Sequence, residues 1–567
     1  MANNIGLDFG TTYSVVSRLK NIQYGKNNEV MQYDLEACLP SEASHSPCQD
    51  SVVVRNADGS LVYGLMARDK TGKKGSYTYK GFKMMLAETD PGRLAARGYG
   101  EEVTPKFIVS SYIDDILQRH IGAYLDGQNI DKVVVGVPEI WFDAVNTIDC
   151  RSILEEIVSS YPYVKEAELV SEPAAACAFF TENYKKNKNQ RYNGKILIVD
   201  YGGGTLDIAL CNVRENGQCS EVSVIKRCGA GLNEEGFIGK AGLAYIEAVV
   251  KIAFRTLGKT DEEIVGNRFF YRWVNSVENA LILQTVNIKE TFEMCETMDR
   301  CDLDDPFHTI EYDQNEDELV ITYGMLAEAY HEIIEPVLDE KLDEIIGYMD
   351  ENGIDYGPSA GDCFKVAPVG GFCNYYLTQE QIEQKFKKCS GDKRFSDIIN
   401  DRRDCEKAIS YGAALIANGV IDFKQVSPYH LGIAGGSGTQ IVDESICFAI
   451  HKGDDIVYNE PVFIKDETGT EIIFGGSHIP LLVFSLDDST VPVNLQWGVP
   501  LKEYQEALTL DADYCKIGLS LDKSMIITLH KYALLDPNKP DEILSRSSVK
   551  LNDIYSVLGN LTRVRRV

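Results

Sequence analysis

Residues 5–12 read IGLDFGTT, and residues 198–205 read IVDYGGGT. Each is an apolar run that ends in Asp, passes one bulky residue and turns through Gly to Thr. Such a run reads as a strand, and its Gly–Thr ending as a tight hairpin. Glycine lets a turn take positive φ and lets backbone N–H groups approach an anion. The strand-end carboxylates, Asp8 and Asp200, suit a hydrated divalent cation, because Mg²⁺ keeps several waters and takes few carboxylates. One such turn alone is ordinary. Two copies, starting at residues 5 and 198, are what a duplicated clamp on a triphosphate and its metal requires.

Around these segments the chain alternates strand-like and helix-like patterns as far as about residue 420. Strands are predicted at Ile5–Phe9, Ser51–Arg55, Lys132–Val137, Lys195–Asp200, Asp207–Val213 and Phe364–Val369. Helices are predicted at Val109–Leu125, Asn233–Leu257, Met325–Met349 and Glu406–Gly419. Interleaving of this kind implies an α/β architecture. In the last helix Ala408, Tyr411, Ala414 and Leu415 share one face, and Gly419 is its stop signal. From about residue 425 short β-type runs take over, at Ile446–His451, Pro461–Lys465, Glu471–Phe474, Leu481–Ser485, Lys516–Ser520 and Met525–His530. This half reads as an all-β sandwich. The expected division is residues 1–422, a linker at 423–427 and a β domain at 428–567.

Composition narrows the function classes. Lys and Arg number 56 against 86 Asp and Glu, a formal charge of −30. That balance excludes a general nucleic-acid binder and disfavours docking on anionic lipid. No apolar run approaches the roughly 18 residues a membrane span needs; the longest candidates include Ala174–Phe180 and Ile479–Phe484. MANNIGLDFG lacks a signal-peptide pattern. The fifteen Cys include no CxxC pair, although Cys295/Cys301 and Cys363/Cys373 are closely spaced, and the eight His are dispersed. Mostly reduced, buried thiols in a cytoplasmic protein are the expectation, with no His-based metal centre. Other nucleotide motifs fail. Gly258-Lys259-Thr260 ends like a P-loop, but Ala253 stands where its first Gly belongs. No GxGxxG follows a strand, which disfavours a dinucleotide site.

The segment Gly6–Ser14 (GLDFGTTYS) closely resembles the opening phosphate motif of the heat-shock protein 70 (DnaK-type) chaperone family. Further likenesses follow in the family's order: Val133–Phe142, Val170–Ala176 (VSEPAAA), Ile198–Asp207, Val369-Gly370-Gly371 and Glu406–Ala414. They span residues 5 to about 418. The resemblance implies a two-lobed, duplicated actin-like ATPase domain that takes ATP or ADP with Mg²⁺, and K⁺ beside it. It implies that Asp8 and Asp200 hold the metal through water. Gly10, Thr11, Thr12 and Tyr13 would contact phosphate from one hairpin, and Gly202, Gly203, Gly204 and Thr205 from the other. Lys83 in GFKMML stands where the family's catalytic Lys lies, with Glu172, Asp200 and Thr205 as its catalytic partners and Asp207 orienting water and metal. Pro138 and Arg151 resemble the switch that reports ATP to the next domain. Gly370 and Gly371 would border the adenosine. There the family's Arg-containing loop is replaced by Phe372-Cys373-Asn374-Tyr375-Tyr376, so Phe372 and Tyr375, or Tyr376, are expected to face the base. Lys289 in NIKETFE, with Glu290 where the family has Arg, and Glu234 in GAGLNEEG complete the implied adenosine contacts.

The C-terminal half is similar to the family's substrate domain at Pro428–Ile433, His451–Pro461 and Leu510–Tyr532. The linker Asp422-Phe423-Lys424-Gln425-Val426 is less apolar than the family's, and the helical lid is expected to be missing, with at most one short helix at Asn552–Leu561. The leading expectation is a lidless chaperone that hydrolyses ATP and binds unfolded or extended polypeptide, with co-chaperones or nucleotide exchange factors as further partners. The alternatives are a nucleotide-bound scaffold that recognises one native partner and a small-molecule kinase of the same superfamily.

Overall fold

The structure is a computed structural model. It describes residues 2–26, 29–41, 44–88, 90–142, 150–216, 219–231, 240–297, 303–312, 318–387, 405–424, 426–427, 430–434, 446–466, 468–478, 480–485, 497–500 and 510–551. The chain divides into two compact units, Met1–Ile140 with Ile157–Phe423, and Trp141–Glu156 with Lys424–Val567.

The first unit begins with strands β1 (Asn4–Phe9), β2 (Tyr13–Tyr24), β3 (Val30–Ala37) and β4 (Gln49–Asp50). Next come β5 (Val52–Arg55), β6 (Leu61–Tyr63), β7 (Tyr77–Lys80), β8 (Lys132–Val137) and β9 (Ala167–Ser171). One sheet runs in the order β3-β2-β1-β8-β9, with β4 on β2, and a small one in the order β6-β5-β7. Strand β8, KVVVGV, is buried from Val133 to Val137, as a parallel strand covered on both faces must be. A further sheet has the order β15-β10-β11-β12-β16, built from β10 (Gly194–Tyr201), β11 (Leu206–Asn216), β12 (Cys219–Ala230), β15 (Phe364–Val369) and β16 (Ile421–Lys424). Strands β13 (Pro306–Glu311) and β14 (Glu318–Thr322) form a separate hairpin. In each large sheet one strand pairs antiparallel with its successor and parallel with a later strand: β1 with β2 and β8, β10 with β11 and β15.

Two helices seat these sheets. Glu172–Lys188 is started by Ser171, whose hydroxyl accepts from Ala174 N, and has Pro173 in its first turn. Asn189 ends it in the left-handed region at φ 51°. Its run of small residues allows the helix Ala408–Ala417 to lie almost in backbone contact: a Cβ on Gly412 would fall 1.6 Å from Ala175 O. On strand β1 a Cβ on Gly6 would meet Ala414 N and Ser410 O, each at 2.3 Å. The residues packed there come from both large sheets, including Val134, Val170, Ile198 and Ala367. A second core lies among β10, β11 and the helices Gly242–Arg255, Phe270–Leu283, Tyr323–Ile333 and Glu335–Glu351.

The expected strands and helices of this half are present with shifted ends, with one exception. Met325–Met349 is two helices, Tyr323–Ile333 and Glu335–Glu351. Pro336 sits in the first turn of the second, where its missing N–H and fixed φ are tolerated; inside one long helix they would break it. Part of the predicted Asn233–Leu257 helix lies outside the described residues, and the described part is Gly242–Arg255. Among the described cysteines most are free, in line with the expectation of mostly reduced thiols, and Cys295 is disulfide-bonded.

Among its described residues the second unit contains two antiparallel sheets. One has the order β18-β17-β21-β22, formed by β17 (His430–Ala434), β18 (Ile446–Ile450), β21 (Leu481–Ser485) and β22 (Trp497–Pro500). The other has the order β19-β23-β24-β25, with β20 on β23, from β19 (Val462–Phe463), β20 (Ile473–Gly475), β23 (Tyr514–Leu521), β24 (Ile527–Leu534) and β25 (Ile543–Lys550). Strand β25, ILSRSSVK, carries polar residues on both faces and gives no strand signal in the sequence. The segments Pro428–Tyr429 and Asn552–Leu561 lie outside the described residues. Among the described residues no helix is long and apolar enough to cross a membrane.

The contact at Gly412 has a measurable cost. Gly412→Ala is expected to destabilise the chain by about 3 kcal/mol, because backbone atoms must move apart. Gly347→Ala, on a helix with no atom within 4 Å of the new Cβ, is expected to stabilise by about 0.5 kcal/mol. Urea unfolding of the two variants against the parent chain measures the contrast.

Candidate functional site

In the β1–β2 hairpin Asp8 pairs with Val15 and Phe9 with Ser14, so the turn is Gly10-Thr11-Thr12-Tyr13. In the β10–β11 hairpin Asp200 pairs with Asp207 and Tyr201 with Leu206, and Gly202 N donates to Thr205 O at 3.1 Å. The two turns face each other. A Cβ on Gly203 would lie 2.1 Å from Thr12 Oγ1, and one on Gly204 would lie 2.2 Å from Thr11 Oγ1. The turn glycines Gly10, Gly202, Gly203 and Gly204 do not have positive φ. Gly10, Gly203 and Gly204 are required by close approach, whereas a Cβ on Gly202 would meet only Thr205 O at 3.9 Å; close approach thus corrects the conformational reason inferred from the sequence. Gly370 does have positive φ, at 83°, and a Cβ there would fall 2.5 Å from Asp200 Oδ1.

Beneath the turns lies a buried set of charges. Lys83 Nζ donates to Glu172 Oε1 at 2.5 Å, and both side chains are closed off from solvent. Glu172 is delivered there as the first residue of its helix. The Phe9 ring lies 5.6 Å from Lys83 Nζ and packs with Phe82 and Tyr112. Asp207 Oδ1 accepts from Ile140 N at 3.1 Å, and the buried carboxylate also bonds the Thr205 side chain. Burial, and then the negative charge of Glu172, push the Asp8 carboxyl well above the ordinary carboxylate range, with Lys83 opposing. Asp200 is pushed up by burial, Glu172, Asp207 and Asp8, and Asp207 by burial and Glu172. The carboxylates outweigh the single nearby ammonium, so the set favours a cation. Among the described residues no group of three or more His, Cys, Asp or Glu converges closely enough to ligate one directly. Asp8 and Asp200, at the ends of β1 and β10, are the carboxylates that could hold a cation through its water shell.

The expected base side is only partly as read from the sequence. Phe372 stands in a short 3₁₀ turn after β15, its ring edge-on to Tyr201 at 5.5 Å and against Gly242. Tyr375 is enclosed in the core rather than exposed. It is 7% exposed, stacks on Phe372 and shares a 2.8 Å hydrogen bond with the Tyr245 hydroxyl inside the core. An aromatic side chain gains more from that enclosure than from a solvent-facing ledge. Tyr376 lies parallel to Phe292 at 6.5 Å. Lys289 is exposed and its nearest ionic partner is Glu293, one turn along the same helix at 3.5 Å; the structure does not bring it into the buried set. Glu290 is exposed as well. Glu234 lies outside the described residues. Pro138 is buried directly after β8, and Arg151 is buried in the helix Cys150–Ser159.

Sequence reading missed a second buried ionic group. Arg68 donates to Asp50 Oδ1 at 2.7 Å and to Asn279 Oδ1 at 2.5 Å, approaches Glu278 at 3.5 Å, and hydrogen-bonds Tyr13 of the first turn. Lys80 Nζ donates to Glu278 Oε2 at 2.7 Å and to Asn275 Oδ1 at 2.9 Å. Arg97 pairs with Glu247 at 3.3 Å. These bonds join the segment of residues 50–97 to the helices Gly242–Arg255 and Phe270–Leu283. No local pattern announces them, since the partners on those helices lie about 150 or more residues away.

A buried pair is costly to break from one side. Glu278→Leu is expected to cost about 3 kcal/mol, because Lys80 is left buried and unpaired. The double variant Glu278→Leu with Lys80→Met is expected to recover most of the loss. Denaturation midpoints of the three chains check both statements.

No family model matches the chain. It is 27% identical over 206 residues to the chaperone protein DnaK of Metamycoplasma hominis, covering 36% of this chain and 29% of that one. It is 28% identical over 220 residues to the DnaK of Endomicrobium trichonymphae, covering 38% and 31%. It is 26% identical over 220 residues to a ribosome-associated molecular chaperone of Zygosaccharomyces rouxii, covering 37% and 34%. The matches span about a third of the length of these relatives. The chain is thus similar, at a distance, to Hsp70-type chaperones.

Proposed function

We propose that the chain is an Hsp70-like ATPase that couples nucleotide to polypeptide binding. In this reading residues 1–422 form a duplicated actin-like nucleotide domain, 423–427 a linker and 428–567 a polypeptide-binding β domain. The observation that carries it is the face-to-face approach of the turns Gly10–Tyr13 and Gly202–Thr205 above the buried Lys83–Glu172 pair and Asp8, Asp200 and Asp207. Backbone N–H groups of both turns would bind the phosphates of ATP from opposite sides. Mg²⁺, held through water by Asp8 and Asp200, with K⁺ beside it, would neutralise phosphate charge. Lys83 would stabilise charge that develops on the γ-phosphoryl oxygens, and Glu172 would hold the ammonium in place. Asp207, Thr205 and Glu172 would orient the attacking water. Positioning and electrostatics, not covalent chemistry, would supply the rate. Gly370, Gly371 and Phe372 would border the adenosine.

The β domain would take an extended segment by strand pairing, with apolar pockets for alternate side chains. A scaffold that recognises one native partner is the second reading. It is favoured by the linker: Phe423 is buried on the outermost strand β16, and Ser427 is already paired with Asp454 through Ser427 N→Asp454 O at 2.9 Å.

Lys83→Ala is expected to bind ATP near parental affinity and to hydrolyse it at least about 100-fold more slowly. Gly203→Val, which drives a branched side chain into Thr12, is expected to lose ATP binding. Calorimetry and single-turnover hydrolysis separate the two effects, and parental rates in both variants would refute the assignment. Unfolded peptides are expected to raise the steady-state hydrolysis rate. Measurable hydrolysis that ignores peptide would favour the scaffold.

A further inference from the structure

Against β2, next to the first turn, lies a small cavity that the ATPase reading does not use. Its walls include Ser14 and Val16 of β2, Gln49 of β4, Cys38, and His120 and Tyr124 of the helix Pro105–Tyr124. Strand β4 ties it to the turn, since Gln49 pairs with Ser14 and Asp50 with Tyr13. The cavity leaves about 20 Å³ for the centres of water molecules, against the roughly 10–15 Å³ that one water needs.

His120 is the anomaly. It is 3% exposed, yet neither Nδ1 nor Nε2 has a hydrogen-bond partner. Gln49 Nε2 is also buried; its side chain hydrogen-bonds Asp115, which takes at most one of its two amide hydrogens. The other polar groups of the wall are satisfied. Ser14 Oγ bonds Ser51 Oγ at 3.1 Å, Cys38 Sγ reaches Glu36 O, and the Tyr124 hydroxyl accepts from Leu39 N at 2.7 Å. Burial and the nearby Arg18 cation hold the His120 imidazole neutral, pushing it down to about 4. A neutral imidazole presents one donor and one acceptor. The charge on the rim is already compensated, because Arg119 pairs with Asp115 at 2.8 Å. An ion would enter without a counter-charge and lose its hydration. The occupant must therefore be uncharged, able to donate and accept at once, and no larger than two waters.

We propose that this cavity is a built hydration site, in which one or two ordered waters bridge His120 to Gln49 and join the helix Pro105–Tyr124 to the strand pair that carries the first phosphate turn. An empty cavity would leave two imidazole nitrogens unsatisfied in the interior, which native structures avoid. Leu39, Pro40, Pro47 and Ile116 make most of the remaining wall apolar, so the water's partners are His120 and Gln49, within the two to four that a buried water takes.

The test uses the full chain. A crystal structure that resolves ordered solvent is expected to show water at about 3 Å from a His120 ring nitrogen, and nuclear Overhauser contacts from long-lived water to the Ser14 or His120 protons are expected in solution. Amide hydrogen exchange in the helix Pro105–Tyr124 supplies the independent readout. His120→Phe and Gln49→Leu are each expected to speed exchange, and the double variant to stay within about threefold of the faster single one, because both lose the same bridge. An empty cavity, an ion or an organic molecule in it, or single-variant effects that simply multiply, would overturn the proposal.

Discussion

Two glycine turns meet with no room for a side chain between them, and the rest of the site depends on that approach. Thr12 Oγ1 and Thr11 Oγ1 occupy the space where side chains on Gly203 and Gly204 would begin. The turns belong to different sheets, so holding them together is a task for packing elsewhere. The helices Glu172–Lys188 and Ala408–Ala417 do this through backbone contacts at Gly6 and Gly412 that admit nothing larger than hydrogen. The same packing places Glu172 beneath the turns, as the first residue of one of those helices.

That closeness has an electrostatic consequence. Asp8, Asp200, Asp207 and Glu172 share a buried space with Lys83, and burial together with mutual repulsion raises the three aspartates. A set of this kind is poised to gain a cation and lose protons. Phosphate and a hydrated cation arriving together would supply both missing partners: donors of the turns for the anion, carboxylates for the metal. The Arg68–Asp50–Glu278–Lys80 group adds constraint from another direction, since Arg68 reaches Tyr13 as well as the helix Phe270–Leu283.

Much of this was legible in the residues because the chemistry is local. An apolar strand, its terminal Asp and the following Gly–Thr turn are contiguous, and they form β1–β2 and β10–β11 where the sequence places them. The role of the turn glycines was not legible: close approach depends on the opposite turn, almost two hundred residues away. The surroundings of Lys289 and Tyr375 were not legible for a related reason. Each was placed by order along the chain, while packing decides exposure, and it leaves Lys289 on the outer face of its helix and draws Tyr375 into the aromatic cluster of Tyr245 and Phe372. The break before Pro336 was visible as a proline, but the continuous apolar periodicity on both sides masked it. His120 reads as one more apolar-face residue until its two unsatisfied nitrogens are seen beside a cavity.

The central claim is that the facing turns and the buried carboxylates form one site for a nucleotide and a hydrated cation. Equilibrium titration of the full chain with ATP, in Mg²⁺ and again after chelation by EDTA, tests it most directly. The account expects saturable binding of one ATP that weakens at least about tenfold, or about 1.4 kcal/mol, when the metal is withdrawn. ATP binding of equal strength with and without Mg²⁺, or no binding of ATP or ADP at millimolar concentration, would contradict it.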